Sequence, residues 1–398
     1  MNEILNDLLT LLRCGVNTEK PSEELVRRYQ DQTDGKSEHA EKLRTLYQLS
    51  RSHFVDALTG TVLKQAGVRL PAEWEQSVAK AIRKVILFDA ERAELLKFFE
   101  QNKIWYLPLK GIILKEYYPS VGMRQMSDND ILFDEKYADE VRNYMVSRGY
   151  TVESFGQGNH DVYEKEPVYN FEMHRALYGA AHDNNWEMYY KDVKSRLLRD
   201  EESSFGYHMT AEDFYMYIIC HGYKHYKGSG TGIRTLLDFY VFLKGNEGKL
   251  DFSYIETECE KLKIADFEKE SRILCQKVFG MSGKAAQTVD MDEWRENLSE
   301  SEQEMLAYYM SSGVYGTTER GVKNRMKQCT TKNGKTSKVR YVLRRLFPGK
   351  EVYQYYPFVA AHKWILPEFY IWRMIRMVFV GERRERILRE VKIVRKVD

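Results

Sequence analysis

A chain of 398 residues, 43% of them apolar, has the material for two or three domains with real cores, and few Gly and Pro among 30% charged residues exclude long-range disorder. Net charge is only +2 but unevenly spread: from Arg320 to Asp398, 21 Lys/Arg stand against 6 Asp/Glu, so a basic tail of +15 follows an acidic body of −13. Five cysteines without a CxxC pair exclude a disulfide scaffold and a cysteine-rich zinc site.

Residues 1–103 read as helical throughout. Leucines recur at helical spacing from Ile4 to Leu12, Pro21-Ser-Glu-Glu-Leu resembles a helix start, and Val78, Ile82, Val85, Ile86, Leu95 and Phe99 mark one long amphipathic helix over 73–101. No basic segment followed by an apolar one opens the chain, so no leader is read and a reducing cytoplasm is the expected compartment. At Ile104 the pattern changes. Residues 104–107 read as a strand, 112–118 as an apolar helix, 127–133 as a second strand and 136–148 as a helix stopped by Gly149. Strand candidates follow at 150–154, 160–165 and 168–174.

Helices return after Trp186, most clearly at 211–225, 233–243, 252–262 and 266–279. Residues 329–338 read as a polar loop, and Pro367 opens an aromatic, basic helix. No transmembrane segment is expected, because Glu368, Arg373 and Arg376 interrupt the best stretch, Trp364 to Val380. The expected division is a helical region at 1–103, an α/β core at 104–185, a helical domain completing a cleft at 186–328, and a basic helical extension at 329–398. The fold class is α+β.

The strongest chemical signal is Arg124-Gln-Met-Ser-Asp128-Asn-Asp130-Ile-Leu-Phe. Side chains at i and i+2 of a strand share a face, so Asp128 and Asp130 stand side by side with Ile131 and Phe133 turned away. Paired carboxylates are tolerated where a divalent cation lies between them, and hard oxygen donors select Mg²⁺ or Mn²⁺. Taken alone, the pair reads first as a solvated strand end. Lys110 and Gly111 open a strand–helix turn whose N–H groups and ammonium suit a phosphate. Glu172 shares a strand face with Asn170 and His174. There it bridges a metal, deprotonates a hydroxyl, or is an ordinary polar strand face.

Together, Leu109-Lys110-Gly111, Tyr117-Tyr118-Pro119, Arg124-x3-Asp128-x-Asp130 and Glu172-x-His174 resemble the uncharacterised nucleotidyltransferase family of the DNA polymerase β-like superfamily. The resemblance continues at His221-Gly-Tyr-Lys224-His225, at Gly232-Ile-Arg234-Thr-Leu-Leu-Asp238 and at Leu346-Phe-Pro348, covering most of the chain after residue 70. It implies a small mixed sheet framed by helices, and transfer of a nucleoside monophosphate from an NTP to a hydroxyl-bearing acceptor. Asp128 and Asp130 would hold two Mg²⁺ or Mn²⁺ ions, and Glu172 the one that activates the acceptor. Lys110, Gly111 and Arg124 would meet the triphosphate, unless Arg124 is an ion pair locking the loop before the strand. His221, Lys224 and His225 read as a basic wall toward phosphates or acceptor or, for the histidines especially, as a hydrogen-bonded helix face. Arg234 joins the nucleotide-binding residues or pairs with Asp238.

One departure stands out: Ile112 occupies the place where the superfamily usually has Ser or a second Gly. Lys110 is the expected substitute, and Ile112 is the feature that favours a catalytically silent binding module. Asn333-Gly334-Lys335-Thr336 is no P-loop, since Cys329 stands where Gly is required. The tail has three readings: an amphipathic basic helix on a membrane surface, a contact for an acidic partner, or aromatics packed on the acidic body.

Overall fold

The computed structural model describes residues 3–30, 38–179, 184–280, 297–313, 316–327, 329, 337–349, 352–353, 356–379 and 381–396. The N-terminal region holds α1 (Glu3–Asn17), α2 (Glu23–Gln30), α3 (Glu38–Ser52), α4 (Asp56–Gln65) and the thirty-residue α5 (Ala72–Gln101). The seam of α5 is Trp74, Ala81, Val85, Phe88, Leu95 and Phe99, all buried and spaced three, four or seven apart, as one face of a helix requires.

The α/β unit runs β1 (Tyr106–Pro108), α6 (Gly111–Leu114), β2 (Asn129–Phe133), α7 (Ala138–Ser147), β3 (Thr151–Ser154), β4 (His160–Lys165) and β5 (Tyr169–His174). These strands form one mixed sheet in the order β1-β2-β5-β4-β3. β2 and β5 are parallel; the other neighbours are antiparallel. The fold is thus α+β, as expected. The helix expected over 112–118 is shorter: α6 has four residues and passes into a single 3-10 turn, Lys115–Tyr117. The chain is extended at Tyr118 because Pro119 disfavours a helical residue before it.

Beyond the sheet come α8 (Asn184–Tyr190), the short β6 (Leu198–Arg199) and β7 (Tyr207–His208), then α9 (Ala211–Lys227), α10 (Ile233–Gly245), α11 (Phe252–Leu262) and α12 (Ala265–Phe279). Thr210 caps α9 by accepting the Asp213 N–H, and Asp251 caps α11. Helices follow at Glu300–Ser312, Thr318–Lys327, Lys338–Leu346, Pro357–Ala361, Leu366–Phe379 and Gly381–Lys396. The helix at Lys338–Leu346, capped by Ser337, begins where a loop was expected to end. Most of that loop, with Asn333–Thr336, lies outside the described residues.

Two apolar cores sandwich the sheet. One face carries Ile131, Phe133, Phe171 and Met173 against Phe88 and Phe99 of α5 and Val141 and Met145 of α7. On the other side a larger core takes Leu132 together with side chains from α1, α4, α9, α10 and α12. Strand alternation thus fixes which side chains of β2 and β5 can be polar: those on the face toward α9. No helix among the described residues is long and apolar enough to cross a membrane.

Candidate active site

β2 and β5 run side by side with Asp130 paired against Glu172 and Leu132 against His174. Across β5, β4 sets Val162 beside Glu172 and His160 beside His174. This register gathers Asp130, Glu172, His174 and His160 on one face. Asp128 stands one residue before β2 and is half-buried, whereas Asp130 is buried.

Lys110 sits at the centre. Its ammonium lies 2.5 Å from Asp130 Oδ1 and 3.7 Å from Glu172 Oε2. Lys110 has φ +44° and ψ −116°, and the Ile112 N–H closes the turn on the Leu109 carbonyl at 3.1 Å. This is the first central position of a type II′ turn, where Gly is the usual residue. A side chain held there is strained by about 1–3 kcal/mol, and such strain concentrates at functional sites. Gly111 leaves room for the Arg124 arm: a Cβ would lie 2.5 Å from Arg124 Nη1 and displace a guanidinium held by Asp238. The N–H groups of Ile112, Ile113 and Leu114 are all taken by the carbonyls of Leu109 and Lys110, so the anion-binding character expected of this turn rests chiefly on the Lys110 ammonium. Ile112 turns its side chain into the core behind the sheet.

His174 Nε2 donates to Asp130 Oδ1 at 2.8 Å and lies 3.6 Å from Glu172 Oε2. His160 Nε2 is 3.9 Å from the same Glu172 oxygen. Burial opposes ionisation of Asp130, but Lys110 and His174 outweigh it and hold the carboxyl well below its usual range. Burial, then the Asp130 charge, pushes Asp128 up to about 7. Burial likewise opposes charge on Lys110, yet Asp130 foremost keeps it well above the ordinary lysine value.

Helix α9 faces this cluster with Tyr217, His221 and Lys224, spaced four and three apart, all within electrostatic reach of Lys110. Burial and Lys110 push Lys224 down to about 8 and His221 well below its ordinary value. His225 is exposed, its Nε2 3.2 Å from that of His221.

The remaining candidates lie on a second flank. Arg124 donates from Nε and Nη2 to the two carboxylate oxygens of Asp238 at 2.8 and 3.0 Å, and Tyr118 donates to the same group at 2.8 Å. The ion pair that locks the loop before the strand is therefore present, and Asp238 takes its guanidinium from Arg124 rather than from Arg234. Arg234 lies over the Phe54 ring, 5.0 Å from its centroid. Burial, then Arg124, lowers the Arg234 pKa.

Sequence reasoning missed His160 and Lys84. His160 becomes visible only through the strand register. Lys84 looks like a solvent-facing residue of α5, but its ammonium bonds the Ser127 carbonyl at 3.0 Å and feels Asp128 and Arg234.

A mixed sheet that gathers Asp130 and Glu172, with Asp128 just before it, opposite His221 and Lys224 of α9 brings carboxylates and basic side chains into one site. The chain belongs to the uncharacterised nucleotidyltransferase family, whose model matches residues 39–280 and so includes every site residue named above. Comparison with curated proteins and with solved structures returned no match.

Proposed function

We propose that this protein transfers a nucleoside monophosphate from an NTP to a hydroxyl-bearing acceptor, with Mg²⁺ or Mn²⁺ as cofactor. The observation that carries the reading is a division of charge across the cleft. On one side Asp128, raised to about 7 by burial and Asp130, belongs to a carboxylate pair short of a cation. On the other, burial and then like charges depress two cations, Lys110 acting on Lys224 and Arg124 on Arg234, while Lys84 beside Asp128 is lowered by burial despite that carboxylate. That wall is short of an anion. A metal-bound triphosphate supplies both missing charges at once.

The residues fit a divalent cation, because the Lys110 ammonium already stands in for one between Asp130 and Glu172. Asp128, Asp130 and Glu172 would hold the ions, which when bound neutralise phosphate charge during in-line displacement at the α-phosphorus. Lys110, freed from Asp130, turns to the phosphate oxygens, and Arg234, Lys224 and His221 line the anion wall. Gly111 and Arg124 keep the turn in shape beneath them, and His225 orients His221. Glu172 takes the proton of the acceptor hydroxyl. The hydroxyl oxygen bonds to the α-phosphorus, the bond to the bridging oxygen breaks, and pyrophosphate leaves.

The test is pyrophosphate release, or label transfer from α-labelled NTP, with a broad acceptor pool. Wild type turns over and Asp130→Ala does not. A wild type that binds NTP without turnover in every pool defeats the proposal. That outcome favours a silent binding module, the reading supported by Ile112 packing into the core instead of offering a hydroxyl at the turn.

A further inference from the structure

We infer that His160, Glu172 and His174 form a centre for a first-row transition dication, of the Mn²⁺, Co²⁺ or Zn²⁺ class, in preference to Mg²⁺. The inference deepens the metal-dependent reading above and rests on it for the role of the ion, but its test is binding alone. One ligand atom from each of the three residues lies within 4.8 Å of the others. The Nε2 atoms of His174 and His160 stand 3.6 and 3.9 Å from Glu172 Oε2. Donors about 3.3 Å apart would surround an ion tetrahedrally at bond lengths near 2.0–2.1 Å, so the two Glu172–His pairs need shifts of only a few tenths of an ångström.

The far side of each ring is left unengaged. The two imidazoles lie with ring centroids 5.0 Å apart, and each keeps a buried Nδ1 without a hydrogen-bond partner among the described residues. A buried polar atom left unpaired costs about 1–3 kcal/mol, so neither ring is fixed by its Nδ1 and both can turn their Nε2 toward an ion.

The donor set decides which ion. Mg²⁺ demands oxygen ligands in near-octahedral geometry, whereas imidazole suits the later first-row metals. Asp128 and Asp130 offer oxygen only. The Glu172 corner adds two nitrogens, so the two ends of the carboxylate cluster differ in the metal they select. His174 Nε2 lies 2.8 Å from Asp130 Oδ1, so an ion taken at this corner displaces that hydrogen bond and couples its binding to the aspartate that the proposed catalysis uses.

The experiment uses the full chain, stripped of metal with a chelator and titrated with Co²⁺ alone, read by its visible d–d absorption. Wild type is expected to bind one Co²⁺ at least tenfold more tightly than Mg²⁺. His160→Ala lowers Co²⁺ affinity about tenfold or more while leaving Mg²⁺ affinity within about twofold. His160→Gln, which preserves bulk and polarity, does the same and guards against a folding defect. Co²⁺ affinity unchanged in both variants overturns the inference. So does Mg²⁺ that competes with Co²⁺ at equal concentration. Pyrophosphate release that persists with Mg²⁺ beside unchanged Co²⁺ affinity overturns this inference and leaves nucleotidyl transfer standing. Loss of Co²⁺ binding in His160→Ala with no turnover in wild type does the reverse.

A separate observation carries a second proposal: the C-terminal helices dock on an anionic bilayer surface. Trp364 is 75% and Phe358 67% exposed, and Ile371 and Ile375 form an exposed pair four apart on the helix Leu366–Phe379. On the helix Lys338–Leu346, Val339, Val342 and Leu343 are exposed beside Lys338, Arg340 and Arg344. Phe369 and Tyr370 pack with Val352 and Val359 inside the tail itself, and Trp364 stays in water. Apolar faces flanked by Lys and Arg, in a tail of +15, match anionic lipid in both hydrophobicity and charge. In flotation assays the full chain is expected to rise with phosphatidylglycerol-containing vesicles, and less in high salt. The variant W364S/I371S/I375S stays behind. Equal flotation of variant and wild type overturns the proposal, as does release of the wild type from vesicles by RNA but not by salt.

Discussion

Lys110 carries opposite obligations. Its ammonium neutralises Asp130 in the resting cleft, and the same charge is needed on the triphosphate in the proposed reaction. Lys110→Met removes the resident cation from Asp130 and Glu172 while keeping the bulk. Affinity for a divalent ion without nucleotide should then rise, about tenfold, as measured by calorimetry. Label transfer from NTP should fall about a hundredfold, the scale of losing one preorganised charge. Metal affinity that falls instead would mean that Lys110 does not compete for the ion site. Arg124 makes the contrasting case. It is buried against Asp238, so Arg124→Ala leaves a buried carboxylate with the Tyr118 hydroxyl as its remaining side-chain hydrogen bond among the described residues. Breaking such a pair costs about 3–5 kcal/mol, and the matched replacement Arg124→Met with Asp238→Leu should recover most of it in urea unfolding. A single variant of normal stability but raised KM for NTP would instead return Arg124 to the nucleotide.

At the scale of elements, the site depends on how closely α9 approaches its neighbours. Gly222 lies on α9 between His221 and Tyr223, and a Cβ there would meet Phe239 Cζ of α10 at 2.5 Å. Ala in a helix is favoured over Gly by up to about 1 kcal/mol. Overpacking against a fully buried ring costs about 1–3 kcal/mol, and Phe239 is only 1% exposed and has little room to yield. The packing penalty wins, so Gly222→Ala should destabilise by about 1–2 kcal/mol, and Phe239→Leu should relieve it. A variant as stable as wild type would show that α9 and α10 can separate freely. Much of this element layout was legible in the chain. β4, α11 and the long α5 stand within a residue of where alternation and helical periodicity put them, because each buries one clean face. The carboxylates of β2 and β5 were legible for the same reason. His160 and Lys84 were not, since their place is set by strand register and by the packing of α5 across the sheet, neither of which leaves a local pattern. β6 and β7, two residues each, are too short to show a period.

At the scale of the molecule, three distant segments meet at one imidazole. His53, directly after α3, donates from Nε2 to the Met310 carbonyl at 3.1 Å and accepts the Ile233 N–H on Nδ1 at 3.4 Å. The N-terminal helices, the first residue of α10 and the helix Glu300–Ser312 are thus tied through a neutral ring that is 1% exposed. A proton on Nδ1 would break the Ile233 bond and bury a charge, and burial indeed pushes His53 down to about 4. In the unfolded chain the same group titrates near 6.5, so the unfolded state binds the proton first as pH falls. The stability that depends on neutral His53 is therefore complete above about pH 6.5 and declines toward pH 4, by up to about 1.4 kcal/mol per pH unit. Asp128 changes stability in the opposite sense over this range. Its raised value makes the folded state bind the extra proton, which favours folding as pH falls from about 7. That contribution is common to wild type and to His53→Gln, whose amide can still donate and accept but does not titrate. The difference between the two proteins isolates the histidine. Between pH 7 and pH 5, wild type should lose about 2 kcal/mol more in urea unfolding than His53→Gln. Parallel pH profiles would mean that the ring accepts its proton without cost, and that the junction of the three segments opens to water.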